Sequence, residues 1–355
     1  MRVATVLGNR PQFVKAAAVS PRLRERHEEI LVHTGQHHDD ELSAVFFEEL
    51  ALPAPDHRLE IAGGSNSSQL ARMVAALEPL LGRLEPDLVL LYGDTNSTLA
   101  GALAAADAAL AVVHVEAGMR SFDRSQPEER NRVLTDQLSA LLCCSTEEAV
   151  AQLGREGAPG RAVVVGDVMV DVALATRERA LARADVLARY GVQAGGYVLV
   201  TAHRPANVDD PASLERLVAL LEAVPGPVVM PLHPRSLARL EQHHLHARAA
   251  AAATLTPPLG YLEFAALLHH ARAVLTDSGG VQKEAYIAGV PCVTLRDRTE
   301  WGETVAAGWN TLVALDADAA RAALALTPPA QRPPLYGDGQ AGARIVAALE
   351  DYAAA

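Results

Sequence analysis

Short apolar runs that alternate with helical stretches constrain this 355-residue chain most strongly. Six runs in the first half are VATVLG, EILVHTG, DLVLLYGD, AVVHVEAG, ALLCC and RAVVVGD. Six in the second half are YVLVTAH, PVVMPLH, AATLT, AVLTDSG, PCVTLRD and NTLVAL. Their apolar residues follow one another without polar alternation, as in strands that are covered on both faces. Helix patterns lie between them, for example at 67–84 and 211–224. The sequence therefore predicts an α/β fold with parallel sheets.

The polar stretch at 171–191, rich in Ala and Arg, separates the two sets of strands. Each set is near the size of one doubly wound domain. We expect two Rossmann-like domains, 1–170 and 171–337, with a hinge near 167–172 and strand-end loops that face one central cleft. The last residues, 338–355, predict a closing helix that could cross back onto the first domain.

The charge balance excludes several function classes. The chain has 31 Lys and Arg against 43 Asp and Glu, a net charge of −12, which argues against broad binding to nucleic acid or anionic membranes. The longest apolar stretch, 99–115, is interrupted by Asp107 and is shorter than the ~20 residues that span a bilayer. The N-terminal apolar run is too short for a signal peptide. We expect a soluble cytoplasmic protein without nucleic-acid or membrane partners.

Metal and redox sites have little support in the sequence. The three cysteines form no C-x-x-C pair, so neither a disulfide framework nor a cysteine zinc site is indicated. The segment HTGQHHDD contains His33, His37, His38 and Asp39, but the turn at Gly35 interrupts a helical i, i+4 face. A G-x-G-x-x-G after a strand and a Walker P-loop are both missing, which weakens NAD chemistry and ATP hydrolysis. We expect no metal and no cofactor.

The segment TDSGGVQKEAYIAG at 276–289 is the first candidate binding motif. Ser278, Gly279 and Gly280 follow an apolar strand and begin a helix, where bare backbone N–H groups and the helix dipole favour an anion. Glu284, one turn further, could accept hydrogen bonds from hydroxyls beside that anion, so a phosphate next to a ribose fits both features. The alternative is an ordinary strand-to-helix turn with Ser278 as the N-cap.

Polar residues also gather at the ends of other predicted strands, where open parallel sheets bind ligands. The segments are 8–15, 93–98 and 114–120 in the first half, and 201–205 and 231–235 in the second. Each has a structural alternative. Asp94 and Ser97 could cap a helix, His203 and His233 could be ordinary strand-end histidines, and 127–132 could be a solvated helix start.

Taken together, the motifs resemble one family. GNRPQFVKA, HTGQH, YGDTNSTLAGALAA, HVEAGMRS, PEERNR, LTDQ, GDVMVD, HRPAN, GYLEF, TDSGGVQKEA and YGDGQA occur in the order and spacing of the non-hydrolysing UDP-N-acetylglucosamine 2-epimerases. The resemblance covers essentially the whole chain. It implies the two-domain glycosyltransferase-B architecture, a UDP-sugar substrate, no cofactor, a homodimer and a role in cell-surface polysaccharide biosynthesis.

The resemblance also implies a reaction and a set of site residues. UDP is eliminated across C1–C2 to give a 2-acetamidoglucal, and is then added back with the C2 proton on the other face. Carboxylates move this proton, and cationic and dipolar groups stabilise the departing diphosphate. The implied catalytic residues are Asp94, Glu116, Glu128 and His203. The implied substrate-binding residues are Arg10, Lys15, Arg132, His233, Leu259, Phe264, Ser278, Gly279, Gly280 and Glu284, with Ser278, Gly279 and Gly280 at the diphosphate, Glu284 at the ribose, and Leu259 and Phe264 at the uracil.

Three departures from the family's common motifs bear on specificity. Trp301 occupies a position where many members have arginine, and Pro205 and Ala206 occupy positions where the common form has Arg and Glu. TEW, which contains Trp301, resembles together with RPQF, HTGQH and GDTNSTLAGALAA the branch that acts on UDP-2,3-diacetamido-2,3-dideoxyglucuronate. Pro205 and Ala206 predict hyperbolic kinetics without activation by a second UDP-GlcNAc, because they offer no side-chain hydrogen-bonding group. A glycosyltransferase of the same architecture, a hydrolysing epimerase and an inactive UDP-sugar sensor are the alternatives.

Overall fold

The chain forms two compact units in the computed structural model, which describes residues 1–36 and 47–354. The first unit comprises Met1–Leu174 with Tyr336–Ala355, and the second comprises Ala175–Leu335. The sequence predicts domains at 1–170, 171–337 and 338–355, and these boundaries remain a prediction. Within the described ranges, no helix is long and apolar enough to cross a membrane.

Thirteen strands are found in the described residues. They are β1 (Arg2–Leu7), β2 (Glu28–His33), β3 (His57–Arg58), β4 (Leu88–Tyr92), β5 (Ala111–Ala117), β6 (Leu141–Cys144), β7 (Arg161–Val164), β8 (Val198–Thr201), β9 (Val228–Pro231), β10 (Thr254–Thr256), β11 (Ala273–Thr276), β12 (Cys292–Thr294) and β13 (Asn310–Leu312).

The helices connect these strands. They are α1 (Arg10–Arg24), α2 (Asn66–Leu84), α3 (Asn96–Asp107), α4 (Pro127–Leu138), α5 (Glu147–Glu156), α6 (Val168–Leu181), α7 (Ala184–Arg189), α8 (Pro205–Val208), α9 (Pro211–Ala223), α10 (Pro234–Gln242), α11 (His246–Ala252), α12 (Tyr261–His270), α13 (Gly279–Ala288), α14 (Gly302–Ala306), α15 (Ala317–Leu324) and α16 (Ala341–Ala353).

Both sheets are parallel and share one topology. The first has the order β3-β2-β1-β4-β5-β6-β7, and the second has the order β10-β9-β8-β11-β12-β13. Each reverses its order beside its first strand, as in Rossmann folds, so the switch points lie between β1 and β4 and between β8 and β11. The α/β class with two parallel sheets is therefore confirmed. All twelve predicted runs form strands, and only the two-residue β3 was not predicted.

The apolar runs form strands because helices cover both faces of each sheet. All five residues of β4 are buried, without the alternation of a one-sided sheet. Helix α2 buries Met73, Leu77 and Leu81 at a spacing of four residues, which is the stripe of an amphipathic helix. In the second unit, α9 buries Leu214, Leu217 and Leu221 in the core that includes Val198 of β8.

The C-terminal helix α16 packs closely on α1 within the first unit. A side chain at Gly342 would overlap the backbone carbonyl of Ala18, so only glycine allows this approach. The Asp171 carboxylate accepts hydrogen bonds from the N–H groups of Ala341 (3.0 Å) and Gly342 (2.9 Å) at the helix start. Burial, the largest influence on this carboxylate, raises its pKa. The last helix is therefore fixed by a close backbone contact and by a carboxylate at its N-terminus.

We predict that Gly342→Ala lowers the free energy of unfolding by about 1–3 kcal/mol, because the added methyl group must displace backbone rather than a flexible side chain. Gly82→Ala is the matched control, since no atom lies within 4 Å of where its Cβ would be. Alanine in that exposed helix position should raise the free energy of unfolding by up to about 1 kcal/mol. Urea denaturation followed by circular dichroism measures both, and effects of the same sign would contradict the packing argument.

Candidate functional site

In the first unit, polar residues gather at the switch point of the sheet and on the neighbouring β5. The segment after β1 begins α1, the segment after β4 contains Asp94, and the end of β5 contains Glu116. Parallel strands place their carboxyl ends at one edge of the sheet, and this edge is where ligands bind in such folds. The structure therefore brings together three of the segments that the sequence analysis selected.

Glu116 occupies an irregular backbone position. The register between β5 and β6 shifts between Val115 and Ala117, which marks a β-bulge. Glu116 itself has a φ of 73°, a left-handed conformation that costs a non-glycine residue on the order of 1–3 kcal/mol. A strained backbone of this kind persists only where surrounding contacts hold it in place, and it is often found at functional sites. The bulge directs the Glu116 carboxylate to Lys15, with which it forms a buried ion pair.

Gly93 leaves the space that this ion pair occupies. A Cβ at position 93 would lie 2.8 Å from Lys15 Nζ and 3.5 Å from Glu116 Oε2, and the residue has a φ of 66°. The positive φ favours glycine immediately before Asp94, and a larger residue would also have to displace the end of the Lys15 side chain. The sequence analysis assigned Lys15 to the nucleotide, whereas its contact here is with Glu116. Arg10, assigned with it, is half-buried in the first turn of α1.

Helix α4 supports Asp94 through Arg132. The guanidinium of Arg132 pairs with the Asp94 carboxylate and lies 2.9 Å from Glu129 Oε2. Glu129 is buried and accepts hydrogen bonds from the N–H groups of Ser121 (2.9 Å) and Phe122 (3.0 Å). The alternative role of Asp94 as a helix cap is wrong, because Thr95 caps α3.

The two glutamates at the start of α4 differ in their surroundings. Glu128, a candidate catalytic residue, is exposed, whereas its neighbour Glu129 is buried. Sequence reasoning missed Glu129, because Glu128 and Glu129 both lie within one helical turn of Arg132 and spacing alone does not choose between them.

In the second unit, Asp277 orients the loop after β8. Its carboxylate is fully buried and accepts hydrogen bonds from the N–H groups of His203 (2.9 Å) and Arg204 (2.9 Å) and from Asn207 Nδ2 (3.0 Å). Because Asp277 follows β11, this contact joins the two strands at the switch point. Sequence reasoning included Asp277 in the glycine-rich segment but gave it no role.

The two candidate histidines lie together. The rings of His203 and His233 stack with centroids 5.6 Å apart and an angle of 29° between their planes. His203 Nδ1 lies 3.3 Å from Asp277 Oδ1, and 42% of the His203 side chain is exposed. His233 also caps α10, accepting a hydrogen bond from the N–H of Arg235 at 3.2 Å. The ring of His203 is thus oriented by a carboxylate and a stacking partner while it remains accessible.

The glycine-rich segment begins α13. Ser278 is the N-cap, and its N–H donates a hydrogen bond to Thr276 Oγ1 at 2.9 Å. Gly279 is half-buried and Gly280 is exposed. A Cβ on Gly279 would lie 3.4 Å from Trp301 Nε1, so this helix start has little room for a side chain. The ordinary capping interpretation is correct for Ser278, and the exposed helix start is also compatible with an anion.

Glu284 lies one turn further along α13 in an unusual environment. The residue is half-buried. Burial raises the pKa of its carboxyl to about 7, although the neighbouring Lys283 acts in the opposite direction. Leu259 and the half-buried Phe264, the candidate uracil residues, pack into one apolar cluster of the same unit. A carboxyl group that titrates near neutrality is a common property of functional sites.

Trp301 has cationic and anionic neighbours. Lys283 is buried, and its Nζ lies 4.2 Å from the centroid of the Trp301 ring, a cation–π contact. The adjacent Glu300 forms two hydrogen bonds with Arg296, at 2.8 and 2.9 Å. Burial would raise the pKa of Glu300, but the Arg296 contacts outweigh it and the pKa lies below its usual value. The residues after β12 therefore place an aromatic ring and fixed charges beside the start of α13.

The metal prediction can be examined only in part. His33 is buried, and its ring stacks on Phe13 with centroids 5.2 Å apart. His37, His38 and Asp39 lie outside the described residues. In residues 1–36 and 47–354, no group of three or more His, Cys, Asp or Glu side chains is arranged to bind a metal ion.

Two Rossmann-like sheets, each with polar side chains at its switch point, define a class of α/β protein that binds ligands at the carboxyl ends of its strands. A family model described as UDP-N-acetylglucosamine 2-epimerase matches residues 21–350. The chain belongs to this family. The predictions of family and of enzyme class, an isomerase, are therefore confirmed.

Individual relatives span the whole chain. UDP-2,3-diacetamido-2,3-dideoxy-D-glucuronate 2-epimerase of Pseudomonas aeruginosa is 44% identical, covering 97% of this chain and 98% of its own length. A UDP-N-acetylglucosamine 2-epimerase homolog of Methanococcus maripaludis is 42% identical, covering 99% and 100%. The crystal structure of Methanocaldococcus jannaschii UDP-GlcNAc 2-epimerase in complex with UDP-GlcNAc and UDP is similar at a TM-score of 0.92 and 38% identity, covering 99% and 100%.

We predict that Asp277→Ala lowers the free energy of unfolding by about 1–3 kcal/mol, because it leaves the N–H groups of His203 and Arg204 without their buried acceptor. Asp297→Ala is the control, since 76% of the Asp297 side chain is exposed. It should change stability by no more than about 0.5 kcal/mol. Urea denaturation measures both variants, and equal effects would show that Asp277 does not stabilise the loop.

Proposed function

We propose that this protein interconverts UDP-GlcNAc and UDP-ManNAc, or the corresponding 2,3-diacetamido uronates, without net hydrolysis. The observation that carries the proposal is the carboxylate cluster of the first unit. Glu116 is held in a strained bulge against Lys15, and Asp94 is held against Arg132. Two carboxylates that are each held in place by a cation suit the removal and return of a proton at carbon.

The reaction divides into two half-reactions. In the first, a carboxylate takes the proton from C2, the C–H electrons form a C1=C2 double bond, and the C1–O bond to UDP breaks. In the second, UDP oxygen adds back to C1, and C2 receives a proton on the opposite face. We assign the proton transfers to Asp94, Glu116 and Glu128, as the resemblance implies. The two ion pairs, buried at Glu116 and half-buried at Asp94, support this role because they fix both carboxylates in place.

The leaving diphosphate requires positive groups and dipoles, which we assign to the second unit. The exposed start of α13 at Ser278, Gly279 and Gly280 supports phosphate binding through backbone N–H groups and the helix dipole. His203 supports stabilisation of developing charge, since Asp277 orients it and its ring stays accessible. Glu284 accepts the ribose hydroxyls in this proposal, and Leu259 and Phe264 contact the uracil.

Two sugars are candidates for the substrate. The Pseudomonas aeruginosa relative is named for the diacetamido uronate, and the Methanocaldococcus jannaschii relative for UDP-GlcNAc. The motif TEW, which places Trp301 beside the helix start, supports the uronate through its resemblance to the branch of the family that acts on that sugar. Comparing kcat/KM for the two sugars distinguishes them, since differential binding of the transition state determines specificity.

The proposal also covers location and assembly. We infer a cytoplasmic homodimer, in line with the sequence prediction. Self-association is supported by two apolar side chains one turn apart on α4, Leu134 and Leu138, which are 50% and 36% exposed.

Deuterium exchange is the experiment that tests the proposed reaction. Incubation with UDP-GlcNAc or with the uronate in deuterated water should place deuterium at C2 of the epimerised product, because the C2 proton leaves and returns. Proton NMR follows the loss of the C2 signal. A glycosyltransferase would leave C2 hydrogen in place, and a hydrolysing epimerase would accumulate free UDP, so either result would overturn the proposal.

We predict that Glu116→Gln and His203→Ala each lower kcat by on the order of 10²-fold, as loss of a positioned acid–base or charge-stabilising group does. Exposed His246 provides the control, and His246→Ala should keep normal turnover. Initial rates of epimerisation give kcat and KM, and circular dichroism checks the fold of each variant. Near-normal kcat in both site variants would remove the assigned roles.

The pKa of Glu284 predicts how UDP binding depends on pH. Ribose hydroxyls donate to the ionised carboxylate, so binding should lower the pKa from about 7 and release protons. UDP affinity should therefore rise as pH increases toward about 7 and level off above it. Calorimetry in two buffers of different ionisation enthalpy measures the protons released.

Glu284→Gln is the matched comparison, because UDP's own phosphate titrates equally in both proteins. The variant should bind UDP about 10–100-fold more weakly, as expected for loss of hydrogen bonds to a charged group. It should also release fewer protons than the wild type. Equal affinity or equal proton release in the two proteins would exclude Glu284 from the ribose site.

A further inference from the structure

A buried histidine lies behind the carboxylate cluster of the first unit. His114 is on β5, two residues before Glu116, and is fully buried. Its Nδ1 lies 2.6 Å from Asp136 Oδ1, and its Nε2 lies 2.6 Å from the carbonyl oxygen of Gly93. Both ring nitrogens therefore have an oxygen at hydrogen-bonding distance.

The two oxygens determine which atoms carry hydrogen. A backbone carbonyl can only accept, and an ionised carboxylate can only accept. Asp136 Oδ2 lies 2.8 Å from the Arg120 guanidinium and accepts a hydrogen bond from the N–H of Gly118 at 3.2 Å, contacts that favour the ionised carboxylate whatever the state of His114. Asp136 is thus ionised, and both nitrogens of His114 must donate. A neutral imidazole would place a nitrogen lone pair against an oxygen.

Neighbouring charges balance this cation. Asp136 Oδ2 lies 2.8 Å from the guanidinium of Arg120, and Arg120 Nε lies 2.8 Å from Glu156 Oε1. The group consists of two cations and two anions in alternation when His114 is charged. With a neutral His114 the same four groups would carry a net charge of −1, which is unfavourable because His114, Asp136 and Arg120 are buried and only Glu156 is half-exposed.

The ends of this network attach to the catalytic segments. The Gly93 carbonyl belongs to the peptide that connects Gly93 to Asp94, so its hydrogen bond to His114 orients the backbone of Asp94. Asp136 Oδ2 also accepts a hydrogen bond from the N–H of Gly118 at 3.2 Å, two residues after Glu116. The network thus fixes the chain on both sides of the bulge in which Glu116 is strained.

We propose that His114 is a buried imidazolium that positions Asp94 and Glu116 for proton transfer by binding the Gly93 carbonyl and Asp136 together. It is a positioning residue and does not contact the substrate. This inference rests on the proposed function for the identity of the reaction, but the protonation state and the backbone geometry can be tested without activity.

The protonation state is measured first, on the wild-type protein. ¹⁵N-labelled histidine NMR at neutral pH should show one ring with two protonated nitrogens in slow exchange with water. His114→Asn assigns this signal by its disappearance. Asp136→Asn provides a second assignment by shifting it, in case the His114 variant does not fold. A neutral-tautomer signal for His114 would overturn the proposal.

The positioning role is measured in Asp136→Asn. Its kcat should fall by on the order of 10²-fold, because small displacements of catalytic groups are costly. Its affinity for UDP should stay within about twofold, since the diphosphate, ribose and uracil contacts of the proposed function are assigned to the second unit and Asp136 contacts neither Arg10 nor Lys15 in the network described above. The backbone amide resonance of Asp94 should shift. Asp318→Asn, an exposed carboxylate-to-amide change with 88% of the side chain accessible, should alter none of these.

The outcomes separate the two proposals. If the wild type shows no C2 exchange, the proposed function fails, while the histidine signal and the Asp94 amide shift still test the network. If the wild type is active and Asp136→Asn retains its kcat, the positioning role is wrong. A lower melting temperature with normal kcat would indicate a purely structural network and would equally overturn it.

Discussion

The buried ion pair between Lys15 and Glu116 is the interaction on which the site of the first unit depends. Removing two charges from water costs several kcal/mol for each ion, so neither side chain is stable there without the other. The pair lies beside Gly93, whose positive φ favours glycine, and Glu116 itself has a left-handed backbone. The ion pair, the bulge and the glycine are consequently one arrangement, and a change in any of them affects the others.

The second unit also contains a buried charge, the carboxylate of Asp277. Asp277 has no cationic side chain as its main partner; backbone N–H groups and an amide satisfy it instead. The Asp277 carboxylate orders the loop after β8 from its buried side. The ring of His203 therefore stays accessible to a ligand. In both units, therefore, buried charges at the sheet edge orient the side chains to which we assign the reaction.

In the first unit, the strained backbone at Glu116 and the buried charges lie side by side. Glu116 keeps an unfavourable φ, and a chain of alternating charges from His114 to Glu156 lies next to it. Hydrophobic packing alone does not select one conformation for such a bulge. Directional hydrogen bonds at both ends of the bulge select one conformation, because each of them breaks if the backbone relaxes.

Much of the fold and part of the site follow from the sequence alone. Unalternated apolar runs predict strands covered on both faces, and the motifs at strand ends indicate Asp94, Glu116, His203 and the start of α13, because these patterns are local. The pairing of Lys15 with Glu116, and the burial of Glu129 against Arg132 while Glu128 stays exposed, required the tertiary structure. These contacts join residues that are distant in sequence or on one helical face, and packing selects among side chains of equal charge. The left-handed backbone at Glu116 and the two donated hydrogen bonds of His114 have no sequence signal, because they exist only where β4, β5 and α4 meet.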